Sequence, residues 1–247
     1  MRKYAVATVA YNESEYIGAC IRNWQGLVDK HLVLVSEKPW NGQSVKDDGT
    51  ADIARSLGAE VIVNHWDTEA HQRNEGLAIL YDYDYVLIVD ADELYTKDVQ
   101  KTLIKMMDHP IDKNWRTDRQ VEAFRIESMT TYWKNSDYVL EPQDGHKPII
   151  AVDPKQLFCH EHRQFGTSYA PLVPGTCHHF SWAKSDNKIK EKIQSFSHAD
   201  IMVPNWYENV WKPWAPGSDM QVRPYGNEES FTRYKPAPQE ILDLLKG

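Results

Sequence analysis

Tyr85-Val86-Leu87-Ile88-Val89-Asp90-Ala91-Asp92-Glu93 decides how this chain folds, because it is an apolar run that ends abruptly in three acids. Five consecutive apolar residues, Tyr85 to Val89, fit a strand buried on both faces at the centre of a parallel sheet. The acids then fall at its carboxyl end, where open α/β sheets bind ligands. Side chains alternate along a strand, so Asp90 and Asp92 are expected on the same side with Ala91 between them, where two carboxylates can share one hard cation. The alternative for an isolated Asp-x-Asp is a pair of solvated turn acids, and the surrounding chain has to decide.

Strand and helix alternate around this stretch. Tyr4 to Ala10 is an apolar strand, followed by the polar turn Tyr11-Asn12-Glu13-Ser14-Glu15, in which Asn12 and Glu15 are spaced as a capping box. Ile17, Cys20, Ile21, Trp24, Leu27 and Val28 then recur at helical spacing. His31 to Val35 is the next strand and ends in the turn-rich Ser36-Glu37-Lys38-Pro39-Trp40-Asn41-Gly42; Thr50 can cap a short helix, Ala51 to Leu57, that Gly58 stops. Ala59 to Val63 is a third strand, and Asp67 or Thr68 caps a helix carrying Ala70, Leu77 and Leu80 inward. This alternation over about the first 110 residues predicts a doubly wound, mostly parallel sheet.

After Pro110 the style changes. Residues 121–127, 138–140, 148–152 and 175–182 read as shorter strands in mixed or antiparallel pairing, with His160, His162 and Arg163 in a polar loop between them. A helix is expected from about Asn187 to His198, striped by Ile189, Ile193 and Phe196 and capped by Ser185 or Asp186. Residues 204–238 set Trp206, Trp211 and Trp214 among several prolines, ahead of a tail helix carrying Ile241, Leu244 and Leu245. That segment is too aromatic for a free tail and too rich in proline for a helix or central strand, so an arm or lid lying along a surface is expected.

Composition narrows the function. Across 247 residues, 36 acids against 28 Lys and Arg give a formal charge of -8 and no long basic tract, so duplex nucleic acid is not an obvious partner. No run of about 18 apolar residues is present to span a membrane, and Met1-Arg2-Lys3 leads straight into a strand, so a cytoplasmic protein without a transmembrane segment is expected. Cys20, Cys159 and Cys177 lack metal spacing or a disulfide framework, which predicts reduced, buried thiols.

Four pieces in this order, Tyr11-Asn12-Glu13, Asp48-Gly49-Thr50-Ala51-Asp52, Gln72-Arg73-Asn74-Glu75-Gly76 and Asp90-Ala91-Asp92-Glu93, resemble the family 2-type glycosyltransferases with the GT-A fold. The block Cys177-His178-His179-Phe180-Ser181-Trp182, with Lys192 and His198-Ala199-Asp200 after it, resembles the later part of bacterial and viral members. The resemblance implies a Rossmann-like, mostly parallel sheet with a mixed-strand second half and the Trp/Pro-rich C-terminal arm. It divides one domain, 1–247, into a nucleotide-sugar half (1–110), an acceptor half (111–203) and an arm or lid with a tail helix (204–247).

The same resemblance implies transfer of a sugar from a nucleoside-diphosphate-sugar, UDP in the first place, to a hydroxyl acceptor with Mn2+ or Mg2+. Tyr11, Asn12, Glu13, Glu37, Arg73, Asn74, Asp90 and Ala91 would meet the nucleotide-sugar, while Asp92, His179 and Asp90 would serve the metal. Oxygen ligands suit Mg2+, and an added imidazole tilts a site toward Mn2+. On a strand one of His178 and His179 has to face the site, and the pattern favours His179, with a buried structural histidine as the competing account. An inverting transferase needs a carboxylate base beyond the metal motif. Glu127, Glu141, Asp144 and Glu161 are eligible and none stands out. The acceptor is open between a glycan, a protein, a small molecule and a modified nucleobase, and the arm's aromatics would equally suit a homodimer contact. Two rivals share the pattern: a sugar nucleotidyltransferase, which would want a glycine-rich basic loop after the first strand, and a non-catalytic sugar-binding protein on the same fold.

Overall fold

A computed structural model describes residues 2–110, 121–143, 145–167, 169–195, 198–226 and 229–247. The first half is a regular βα succession: β1 (Tyr4–Ala10), α1 (Ile17–Trp24), β2 (Lys30–Ser36), α2 (Thr50–Ser56), β3 (Glu60–Asn64), α3 (Glu69–Ile79) and β4 (Tyr85–Asp90). These strands pair in parallel in the order β3-β2-β1-β4. Tyr85 to Val89 are all buried, as a strand covered on both faces requires. The order reverses direction between β1 and β4, and such a switch point opens a crevice beyond the strands' carboxyl ends. Gly76 lets α3 lie close to the sheet, since a Cβ there would come within 2.9 Å of Leu34 Cδ1.

The second half closes the sheet's other side with mixed pairing. It contains β5 (Glu93–Tyr95), α4 (Lys97–Asp108), β6 (Ala123–Trp133), β7 (Tyr138–Glu141), β8 (Ile149–Val152), β9 (Cys159–Glu161), β10 (Gln164–Phe165), β11 (Leu172–Trp182), α5 (Asp186–Ser195), β12 (Phe231–Tyr234) and α6 (Gln239–Lys246). Strand β8 joins β4 antiparallel, β6 joins β8, and β11 runs parallel to β6 and antiparallel to β5. The pairing of β11 with β5 carries His179 opposite Glu93, which brings a late histidine to the acids after β4. No helix among the described residues is long and apolar enough to cross a membrane. All three cysteines are free and buried.

Three local expectations need correction. Asn12 and Glu15 form no capping box: Asn12 adopts a left-handed conformation (φ 52°), its amide donates to the Lys46 carbonyl at 2.7 Å, and α1 starts later without a side-chain cap. Thr50 does not cap α2 either, because its hydroxyl accepts from the Glu13 amide at 2.8 Å and donates to Asp48 at 2.5 Å. These bonds tie the two loops together across the crevice. Third, the polar loop at 160–163 is the hairpin β9-β10. Thr68 does cap α3, accepting from His71 N at 3.1 Å. Phe196, expected on the stripe of α5, lies outside the described residues.

Residues 204–238 are built into the body. Trp206 and Trp211 are buried against Trp133 and Trp182, with ring centroids 5.7 and 4.9 Å from Trp133, and β12 extends the main sheet by pairing with β7.

Candidate active site

A cavity of about 310 Å³ opens at the carboxyl ends of β1 and β4. Tyr11, Asn12 and Glu13 from the loop after β1 line it, as do Ser36, Lys38, Pro39 and Trp40 after β2, Glu69 and Arg73 on α3, Asp90 to Asp92 after β4, and His179 on β11. Lys184, Lys188 and Lys192 supply a basic wall. A second cavity of about 410 Å³ adjoins it, sharing Glu69, Asp90, His179, His198 and Tyr225 and reaching Met129, Gln143, His146 and Arg223. Strand β4 ends at Asp90, yet the turn that follows keeps both Asp90 and Asp92 on the first cavity.

The two aspartates have different company. Asp90 lies between two buried guanidinium groups: Arg73 Nη2 at 2.6 Å and Arg163 Nη1 at 3.5 Å. Burial would raise its carboxyl, but Arg73 and then Arg163 outweigh that and hold it below its usual value. Asp92 sits 3.5 Å from His179 Nε2 and 3.8 Å from Lys192 Nζ. Here too burial opposes ionisation, and His179, Lys192 and Lys184 overcome it, so the carboxyl is held well below the carboxylate range. Asp92 in turn raises His179 against the effect of burial.

His178 points the other way. Its Nδ1 lies 2.9 Å from the Tyr132 hydroxyl, and burial, with Lys235 adding to it, pushes the ring down to about 4. Strand alternation therefore separates the neighbouring histidines into one inside the cavity and one in the core.

Arg73 also donates from Nε to Glu69 at 2.8 Å, so α3 is fastened to the acid turn. Asn74 faces away from the cavity and brackets Cys159, donating to its carbonyl at 2.8 Å and accepting from its amide at 2.7 Å. Glu37 is exposed and lines neither cavity. Trp40 does line the first, with its indole donating to Gln72 at 2.8 Å. Glu127, Glu141 and Glu161 line neither cavity; Glu141 is paired with Arg233 at 2.9 Å. Asp144 lies outside the described residues.

Three side chains not singled out in the sequence, Glu69, Lys184 and Lys188, complete the site together with Arg163, which the sequence reading left in a polar loop. Part of the basic wall had a signal, the four-residue spacing of Lys188 and Lys192, which places them on one face of α5; Lys184 precedes that helix. Lys184 is buried against Glu13 and Lys188 lies 2.5 Å from Asp48. Arg163 had none, because its partners are distant in sequence. From the turn of the β9-β10 hairpin it donates to Glu93 Oε1 at 2.6 Å, to the Ile149 carbonyl at 2.8 Å and to the Ile88 carbonyl. Both turn residues, His162 and Arg163, have positive φ (39° and 61°), a conformation costly for residues with a Cβ that Arg163's buried bonds offset.

Removing one member of the Arg163–Glu93 pair strands the other charge. Glu93 is 1% exposed, so Arg163→Met is expected to cost roughly 3–5 kcal/mol. The double variant Arg163→Met/Glu93→Gln should recover much of that loss in urea unfolding. A single variant as stable as wild type would mean the pair does not hold the site.

Residues 5–114 match the family model described as glycosyl transferase family 2. That match covers β1 to α4, the half that carries the acid turn. Over these residues the chain is similar to glycosyl transferase family 2. An uncharacterized glycosyltransferase of Rickettsia felis is 31% identical over 100 residues, covering 40% of this chain and 32% of that protein. One from Rickettsia prowazekii is 30% identical over 100 residues, again 40% of this chain and 31% of its own. The chain thus spans about a third of the length of the curated relatives it matches. Among solved structures, glucosyl-3-phosphoglycerate synthase of Mycobacterium tuberculosis, in complex with Mn2+, uridine diphosphate and glucosyl-3-phosphoglycerate, aligns with 53% of this chain and 44% of its own at 19% identity and a TM-score of 0.37.

Proposed function

We propose that this protein transfers a sugar from a nucleoside-diphosphate-sugar, a UDP-sugar in the first instance, to a hydroxyl acceptor with the help of a divalent cation. The observation that carries this reading is the meeting of Asp92 and His179 at 3.5 Å on a cavity that Tyr11, Asn12, Glu13, Arg73 and Asp90 also line. A family 2 match over residues 5–114, which hold Asp92 and the other lining residues just named but not His179, supports it.

The donor set fits Mn2+ or Mg2+. One carboxylate oxygen and one imidazole nitrogen face the same space, and among the described residues no three acidic, histidine or cysteine side chains form a closed cage. Hard cations of this kind are held by one or two protein groups, with substrate phosphates supplying further ligands. When bound, the cation would stabilise the negative charge that develops on the departing diphosphate.

The chain's own residues do the rest. Lys184 and Lys192 line the same cavity as Arg73, and their positive charge suits a diphosphate. The loops at 11–13 and 36–40 form the wall for the base, with Trp40 offering an aromatic edge. Arg73 fixes Asp90 toward the ribose or sugar hydroxyls. The adjoining cavity is the place for the acceptor.

The test is a panel of UDP-glucose, UDP-galactose, UDP-N-acetylglucosamine, GDP-mannose and GDP-fucose with Mn2+ or Mg2+, following melting temperature and nucleoside diphosphate release. At least one donor should stabilise the protein and be turned over; no stabilisation by any of them would sink the reading. His179→Ala should then lower metal-dependent turnover by about 10- to 100-fold, while His178→Ala affects stability more than turnover. Equal, near wild-type activity in the two variants would leave His179 without a role in the site.

A further inference from the structure

We infer that the reverse face of the β6–β11 strand pair holds a second ligand site, one that takes a saccharide ring against His178 and four threonines. Alternation along the two strands sets it apart from the cavities described above. His178 pairs in register with Thr130, and His179 with Thr131. Met129, Thr131 and His179 turn to the second cavity, whereas Thr130, Tyr132 and His178 line a third, of about 560 Å³, on the other face. This third cavity shares no lining residue with the first two, so the inference stands apart from the transferase reading. Its volume falls within the roughly 300–1,000 Å³ of small-molecule sites.

One polar atom bordering it is left over by the fold. His178 is 4% exposed, and its Nδ1 is taken by the Tyr132 hydroxyl at 2.9 Å. The Nε2 atom, across the ring, is buried and makes no hydrogen bond among the described residues. A buried nitrogen without a partner weakens the fold that holds it, and native structures keep few of them. With Nδ1 committed to Tyr132, Nε2 is the hydrogen-bonding atom that His178 brings to the cavity.

The rest of the lining selects the class of ligand. Thr96, which does not cap α4, joins Thr102, Thr130 and Thr176 in bringing hydroxyls, and a hydroxyl both donates and accepts. Val99, Pro174, Pro236 and Pro238 bring aliphatic surface for the C–H face of a ring. Burial, with Lys235 adding to it, keeps the His178 imidazole neutral. Its Nε2 then donates or accepts according to which way the hydrogen bond with Tyr132 runs. A sugar hydroxyl meets either need, whereas a carboxylate or an ammonium meets only one.

Charge points the same way. The two charged residues that line the cavity, Lys235 and Asp98, are exposed and opposite in sign, so a ligand with net charge gains from one what it loses to the other. The start of α4 is no seat for an anion either, because Glu240 already accepts from the Lys97 amide at 3.1 Å. A neutral ring with several hydroxyls and an apolar face makes use of every group present.

The experiment titrates glucose, galactose, mannose, N-acetylglucosamine, maltose, cellobiose and lactose into the full chain without nucleotide or metal, and follows the ring resonances of isotope-labelled histidine by NMR. At least one sugar should shift the His178 ring saturably and leave the His179 ring where it was. Thr102→Phe puts a bulky ring into the cavity from a half-buried position on α4 and should abolish the shift. Lys235→Ala, at an exposed position, should weaken binding by about 2- to 10-fold. Both variants leave the bond between His178 and Tyr132 untouched, so neither result hangs on a disturbed core. Absence of a shift with every sugar overturns the inference. So does a sugar that binds wild type and both variants equally, since it then sits elsewhere, and so does one that moves His179 while His178 stays still. A failure of the nucleotide-sugar panel would leave these titrations unchanged, and the two readings are thus tested separately.

Discussion

Asp92→Asn is expected to abolish the metal-dependent part of nucleoside diphosphate binding while leaving the metal-free part in place. The amide keeps the volume of the side chain and removes one negative charge from a site where Lys192, His179 and Lys184 all face it. In the variant His179 loses the partner that raises it, whereas Lys184 keeps its bond to Glu13. A dication entering would then meet two ammonium groups without the carboxylate between them. One charge pair at about 4 Å is worth roughly 4 kcal/mol at an effective dielectric of 20. If only half of that were lost, the metal would bind roughly 30-fold more weakly. The diphosphate alone, by contrast, meets a more positive wall. Titrating UDP into wild type and variant, with and without Mn2+, separates the two contributions. The same Mn2+ enhancement in both proteins would remove Asp92 from the metal's ligands.

How much of this site was legible in the sequence depended on how local its determinants are. Strand β4 and the acids after it are written in nine consecutive residues, and burial of Tyr85 to Val89 follows from their side chains alone. Alternation along β11 was enough to separate His178 from His179. Asp90 was a different matter. Its expected place beside a cation depended on what stood opposite, and what stands opposite are Arg73 and Arg163, the latter brought in by a two-residue turn far along the chain. The hairpin itself is too short to leave a periodic trace, with strands of three and two residues. Asn12 and Thr50 failed as caps for a similar reason: each had a better partner in the other loop of the crevice, at Lys46 and at Glu13, than in its own helix. Local capping chemistry names what a side chain can do, and tertiary contacts decide which of those bonds it makes.

Removing residues 204–247 is expected to unfold the protein rather than to uncover a working donor site. The segment carries Trp206 and Trp211, 2% and 0% exposed, and these pack with Trp182 on Trp133 in one aromatic cluster. Trp211 also donates its indole N–H to Asp186 at 2.8 Å, at the start of α5, the helix that carries Lys188 and Lys192 into the cavity. Farther along, β12 covers the edge of β7, and α6 buries Ile241 while its Leu244 carbonyl accepts from Arg22 of α1 at 3.0 Å. Losing one buried tryptophan alone costs roughly 3–5 kcal/mol, and a domain holds about 5–15 kcal/mol in all. Deletion removes two such residues, a strand and a helix together, so the aromatic near-ultraviolet dichroism should vanish with the cooperative melt. Trp211→Ala offers a graded version in the full chain: a large loss of stability, with nucleotide binding kept below the lowered melting temperature. Tyr225 gives the segment a second role, since it faces both cavities. If the shortened chain kept its dichroism and bound UDP, the tryptophans would be a detachable cover and the sheet with α5 would stand without them.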